Sequence, residues 1–324
     1  MRKKRIVTIG GGTGQFMLLS ELARHDDIDI TAIVNMTDAG GSTGLLRDEL
    51  GVLPAGDARQ ALVALSGAQD VWRELFTYRF SEGGLSGHTM GNLVLGALEK
   101  MTGSFEKSLE QASRILQTKG AVLPITLENS QLIIETHNDE IFYGEDRIDE
   151  SVVANPRAIY FNKHTPINPK ASKAIREADM VVICPGNFYC SIMPNLLIHG
   201  MHQALRDSRA TKVFISNLVS KYGHTTDMTV VDFVSQAHKA VDYAFIDVLL
   251  YNTQLELRDK DLEEKYRQDG EHLIHPGDIN SLSIKTIAKK FIAKEKHIPQ
   301  KGDTVKRSLI RHDASKIVKE LLQL

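Results

Sequence analysis

Cysteine is nearly absent from this chain: Cys184 and Cys190 are the only two in 324 residues. Thiols this few and this close in sequence make neither a disulfide framework nor a four-ligand zinc site, and they read as small apolar residues of a reducing compartment. An excess of charge of one sign is lacking too. With 39 Lys and Arg against 41 Asp and Glu, the formal net charge is -2, which leaves no broad basic field for nucleic acid, so any phosphate must be held locally. No uncharged apolar run approaches the roughly 18 residues that a membrane helix needs. The basic start Arg2 to Arg5 precedes only the short run Ile6 to Ile9, which is no secretion signal. A cytoplasmic protein without membrane insertion is expected. Also missing are a G-x-S-x-G elbow, an H-E-x-x-H helix and a P-loop lysine, and the 12 His residues are scattered without metal spacing. The sequence therefore assigns no catalytic residue and no protein-bound metal, and it does not demand catalysis.

What is present is an ordinary globular composition, 42% hydrophobic and 25% charged, able to bury a core without covalent staples. The run Ile6 to Ile9 reads as a buried strand, Gln15 to Arg24 as a helix by its spacing of Phe16, Leu18, Leu19 and Leu22, and Ile28 to Val34 as a second strand. This order opens a doubly wound, mainly parallel α/β sheet of the Rossmann-like kind, with helices on both faces and ligands at the strand C-termini. Further helices are expected at 57–65, 88–101, 104–117, 169–177, 195–207, 230–239 and 315–324. Strands are expected at 158–161, 180–184, 213–217 and 245–251. Between them, residues 121–150 carry short apolar runs separated by turn residues and read as a small antiparallel β insertion. The polar stretch 253–280 reads as a mobile loop within a single domain spanning 1–324.

The turn Gly10-Gly11-Gly12-Thr13-Gly14 falls where the first strand meets the first helix. There the backbone can approach an anion closely, and the helix offers it a positive end. A tight turn with no ligand would use glycine as well. The dinucleotide fingerprint is incomplete, because Gln15 replaces its last glycine and the second strand ends Val34-Asn35 with no acidic residue. A second glycine-rich segment, Thr37 to Gly44, follows that strand. In it Asp38 can accept from a sugar hydroxyl or hold a bridging Mg2+, Gly40 and Gly41 can shape a loop, and Ser42 and Thr43 offer donors. Arg47 and Arg59 are candidate phosphate counter-charges, and Asp57 reads as a helix cap. Asn187, in Cys184-Pro185-Gly186-Asn187-Phe188-Tyr189, and Asn217 end two later strands and can read a base or sugar edge. Arg311 can reach a pyrophosphate.

Taken together these segments, with Pro54 to Arg59, Gly87 to Leu93 and Arg311-His312-Asp313, resemble the YvcK/CofD-like family along nearly the whole chain. The likeness is to its gluconeogenesis-factor (YvcK) branch rather than to the sister branch, the 2-phospho-L-lactate transferases. The resemblance implies a regulator that binds a UDP-sugar and is required for cell shape and envelope integrity on gluconeogenic carbon. Its nucleotide site would fall on Gly12, Thr13, Asp38, Gly41, Ser42, Asn187 and Arg311, and its partners would include cell-wall synthesis proteins and further copies of the chain. The alternative is a metal-dependent transferase of the 2-phospholactate type. Ala39 stands where many members carry a second aspartate, and Ala314 where many carry a threonine. The first argues against a two-carboxylate metal site and the second against phosphorylation there.

Overall fold

The computed structural model describes residues 2–37, 41–294 and 308–324. Its strands are β1 (Lys4–Gly10), β2 (Ile28–Val34), β3 (Ala121–Pro124), β4 (Leu132–Glu135), β5 (Ile141–Tyr143), β6 (Ala158–Phe161), β7 (Met180–Ile183), β8 (Thr211–Ile215), β9 (Val248–Asn252) and β10 (Lys285–Lys289). Seven of them form one sheet in the order β10-β9-β8-β7-β1-β2-β3, and every pairing within it is parallel. The expected doubly wound fold is what the chain adopts. From β1 the chain steps outward through β2 and β3, then returns to the other side of β1 at β7 and steps outward again. Strand order therefore reverses between β1 and β7, and the crevice beyond their C-terminal ends is where open α/β sheets hold ligands.

The central strands are apolar runs because helices cover both faces. Ile6, Ile9, Ile30, Ile33, Val181, Val182, Phe214 and Leu249 are all buried. The helix Gly12–Leu22 buries Leu18, Leu19 and Leu22 and packs on the helices Gly56–Ala64 and Ala314–Leu322. The sheet's edges are blunted: β3 ends in Pro124, and β10 carries lysine at both ends with only partial burial. That polar pattern is why β10 had no strand signal.

The antiparallel sheet exists, in the order β5-β4-β6, but it spans 132–161 rather than 121–150. Ala121–Pro124, expected inside the insertion, pairs in parallel with β2. Ala158–Phe161, expected where the main sheet resumes, pairs antiparallel with β4. A four-residue apolar run does not reveal which sheet it joins, because periodicity is the same in both. The helix expected at 195–207 is two, Met193–Leu197 and Met201–Asp207, divided before Gly200, whose φ is +95°. The stretch 253–280, expected to be a mobile loop, contains the helix Lys260–Gln268, where the Asp259 carboxylate accepts from the Leu262 N–H at 2.9 Å. Leu257, Leu262 and Tyr266 from this stretch pack with Leu218 and Ile310 in a second small core. Three apolar residues among many charges were enough to fold it. No helix among the described residues is long and apolar enough to cross a membrane.

Candidate functional site

The glycine turn sits at the C-terminal end of β1, and its glycines are there for different reasons. A Cβ on Gly14 would lie 1.9 Å from the Pro185 carbonyl oxygen, one on Gly11 2.0 Å from an Asp57 carboxylate oxygen, and one on Gly10 3.0 Å from the Cys184 Cβ. These three let the turn press against the loop after β7 and against a neighbouring helix. Gly12 differs: its φ is +60° and a Cβ there would meet nothing within 4 Å. Thr13 follows it in the first turn of the helix Gly12–Leu22. The crevice opens at Gly12.

Asp57 was expected to cap its own helix, but that helix starts after Ala55 with no side-chain cap. Its carboxylate instead accepts from the Gly12 N–H at 2.7 Å, across the gap to the other helix, because an Asp in the first turn of one helix can reach an orphan donor of the next. The positive end that favours an anion thus already faces one acid group. A phosphate arriving here must displace the carboxylate, share the site through a cation, or bind beside it.

Gln15, at the position of the missing fingerprint glycine, is buried and donates to Thr8 Oγ1 at 3.1 Å and to the Ile33 carbonyl at 2.9 Å. It clamps the first helix onto β1 and β2. Asn35, where a dinucleotide site would carry an acid, donates through Nδ2 to the Cys190 carbonyl at 3.1 Å and accepts from Thr37 at 3.0 Å. Both features of the dinucleotide motif are replaced by structural contacts.

Asp38 and Gly40 lie outside the described residues. Gly41 opens the helix Gly41–Leu50, so Ser42 and Thr43 stand in a first helical turn rather than in a loop. Both side chains are buried. Ser42 Oγ is 3.0 Å from His88 Nδ1, Asn92 Nδ2 donates to Ser42 at 3.3 Å and Thr43 at 3.4 Å, and Asn92 Oδ1 accepts from Arg59 Nε at 2.9 Å. His88 and Asn92 were not singled out as site residues. Their one trace in sequence was the segment Gly87 to Leu93, since nothing local says that a histidine and a serine 46 positions apart will meet. Arg47 pairs with Asp48 at 2.9 Å, and Arg59 is built into the buried network rather than exposed to a ligand.

On the other side of the crevice, Asn187 caps the π-helical turn Phe188–Ile192, accepting from the Cys190 N–H at 3.4 Å, and its amide donates to Asp149, which also binds Lys221. Phe188 and Tyr189 are core residues, Phe188 meeting Phe233 edge-to-face at 4.8 Å. Asn217, just past β8, donates to the Gly186 carbonyl at 2.7 Å, while its Oδ1 is buried without a hydrogen bond among the described residues. The C-terminal segment reaches the same strand end: His312 Nε2 lies 3.0 Å from the Ser216 carbonyl, and Tyr266 Oη accepts from the Leu309 N–H at 2.7 Å. Arg311 is carried by this segment, about 300 residues from the glycine turn in sequence, and its carbonyl accepts from the Ala293 N–H at 2.9 Å. Burial holds the His312 imidazole down to about 4 despite the Ser216 contact, and burial does the same to His224. Burial likewise pushes the Cys184 thiol well up, so it is no nucleophile.

Fold and site together define a doubly wound parallel α/β protein with a glycine turn at its topological switch point. The family profile described as 2-phospho-L-lactate transferase CofD matches residues 6–292, and the chain belongs to the CofD family. It is similar to the gluconeogenesis factor of Bacillus subtilis, 34% identical over 324 residues covering 100% of this chain and 98% of that one. It is equally similar to the gluconeogenesis factor of Listeria monocytogenes, 34% identical with 99% and 96% covered. The crystal structure of a UPF0052-family protein from Bacillus halodurans matches with a TM-score of 0.89 at 33% identity, covering 99% of both chains.

Proposed function

We propose that this chain is a regulatory protein of gluconeogenic growth that binds a UDP-sugar in the crevice between the β1 and β7 strand ends, acting on cell shape and envelope integrity through cell-wall synthesis proteins. The observation that carries the reading is Gly12. It is the glycine of the turn that faces open space in a left-handed conformation, and it lies where a parallel sheet of this order holds nucleotides. Asn217 Oδ1, which has no hydrogen bond among the described residues, supports the reading as an acceptor for a sugar or base donor, and the contact of His312 with the Ser216 carbonyl supports a role for the neighbouring Arg311. The names of the curated relatives supply the physiological setting.

A thermal-shift series tests it. A UDP-sugar at 100 times its Kd stabilises the native state by about 2.7 kcal/mol, a rise of roughly 5 °C or more, whereas NADH gives little shift and is not oxidised. Steady loss of NADH absorbance with a hydroxy or keto acid would sink the reading.

A second reading rests on the Asp57 carboxylate beside the glycine turn and on the family's description. In it Mg2+ bridges carboxylate and phosphate, and the chain transfers a phosphorylated group to an alcohol. Turnover of a nucleotide-linked donor only when Mg2+ is present separates it from the first.

A further inference from the structure

Three segments far apart in sequence meet at one carboxylate on the β7 and β8 side of the crevice. Asp149 ends the short helix Glu145–Asp149 that follows β5. Its Oδ1 accepts from Asn187 Nδ2, in the loop after β7, and from Lys221 Nζ, in the loop after β8. Lys221 Nζ also donates to the Asp149 carbonyl at 2.9 Å. The same two loops are joined by Asn217, which donates to the Gly186 carbonyl, and the Val153 N–H ties the segment after the helix to the Gly223 carbonyl at 2.7 Å. Gly186 in turn lies against the glycine turn, since a Cβ on it would sit 3.8 Å from the Gly11 carbonyl oxygen. Two steps, from Gly11 to Gly186 and from Asn187 through Asp149, thus connect the turn to a fixed ammonium.

Taking the crevice as the ligand site, the reading on which this step rests, we infer that Lys221 binds the second phosphate of the nucleoside diphosphate and that Asp149 is its positioning residue. A helix N-terminus balances only about half a charge, and at Gly12 it already faces the Asp57 carboxylate. A diphosphate carries a negative charge on each phosphate, so it needs a cation besides the turn. Arg47 is paired with Asp48, and Arg59 is committed to Asn92. An ammonium has three donors and a side-chain amide two. Among the described residues Lys221 gives two donors to Asp149 and Asn187 gives one, so each keeps an N–H for a ligand. The Lys221 side chain is 32% exposed, which lets an anion reach it while Asp149 still holds it in place. Holding it there lowers the entropy lost when the ligand arrives. Burial, and then the Lys221 charge, keep the nearby His224 imidazole down at about 4, so at neutral pH it does not compete with Lys221 for Asp149.

Calorimetric titration of UDP-glucose into the full chain at low and high salt tests this. The wild type should bind, and more weakly as salt is added. Lys221→Gln keeps an N–H for Asp149 but loses the charge, and it should bind at least tenfold more weakly with a flatter salt dependence. Lys221→Arg should restore both. The empty proteins should melt at similar temperatures, because Asp149 is about half exposed and water can replace the lost contact. Wild-type affinity in folded Lys221→Gln overturns the inference and leaves the crevice reading standing. A lowered melting temperature with affinity intact does the same, and would make Lys221 a strut between the helix and the loop. No binding of any UDP-sugar by the wild type removes the crevice reading and this inference with it.

Discussion

The two glycine-rich segments look alike in sequence and behave differently in the fold. In Gly10 to Gly14 the helix begins at Gly12, three glycines serve close packing against other elements, and one faces open space. In the segment that leads into Ser42 and Thr43, the helix begins at Gly41, and the hydroxyls that looked like ligand donors are committed to His88 and Asn92. Glycine content thus marks backbone crowding, and only geometry separates crowding by protein from crowding by a ligand. The first segment is the phosphate candidate; Ser42 and Thr43 of the second form a buried brace.

The sharpest way to break this comparison is inside the first turn. Gly14→Ala puts a methyl against the rigid Pro185 carbonyl, and the loop after β7 must move, so a loss of about 4 kcal/mol or failure to fold is expected. Gly12→Ala meets no atom and should cost only the left-handed strain, about 1 to 2 kcal/mol. Urea denaturation of both variants checks the ordering; equal losses would mean the turn's glycines are equivalent.

The brace should show the next largest effect. Asn92→Ala removes the group that joins Arg59 to Ser42 and Thr43 inside the protein, leaving buried donors short of a partner. A loss of about 2 to 3 kcal/mol is expected in the absence of any ligand. Wild-type melting would show that the network is idle until a ligand arrives.

The last effect is read as a slope rather than a single loss, a pH dependence at the C-terminal segment. His312 titrates near 4 in the folded chain and near 6.5 when unfolded. Because the folded value is depressed, the stability tied to neutral His312 is complete above about pH 6.5 and is lost as pH falls from there through 4, with a slope of up to about 1.4 kcal/mol per pH unit. Denaturation midpoints for His312→Gln should fall less steeply over that window than those of the wild type. Parallel curves would remove His312 from the account.

The sequence was most legible where burial is continuous. Runs such as Met180–Ile183 are apolar because both faces are covered, and they announce a parallel sheet. It was least legible at edges and across long separations. Lys285–Lys289 hides a strand behind edge lysines, Asp70–Thr77 has too little buried surface to declare itself, and Asp57 reads as the cap of its own helix until the fold brings Gly12 to it. The glycine turn was visible as a turn, but which glycine faces the crevice is decided by Pro185, Asp57 and Cys184, none of them near it in sequence. Nor did anything local announce that His312 would meet the Ser216 carbonyl, 96 positions away.

The central claim is that phosphate binds over Gly12, and calorimetric titration of UDP-glucose into wild type and Gly12→Val measures it most directly. Valine at φ +60° is strained but has room in the empty protein, so the variant should still melt cooperatively, and its side chain would occupy the space the phosphate needs. The account predicts saturable binding to wild type and at least tenfold weaker binding to the folded variant. Equal affinity in the two proteins, or no binding to either by any UDP-sugar, would contradict it.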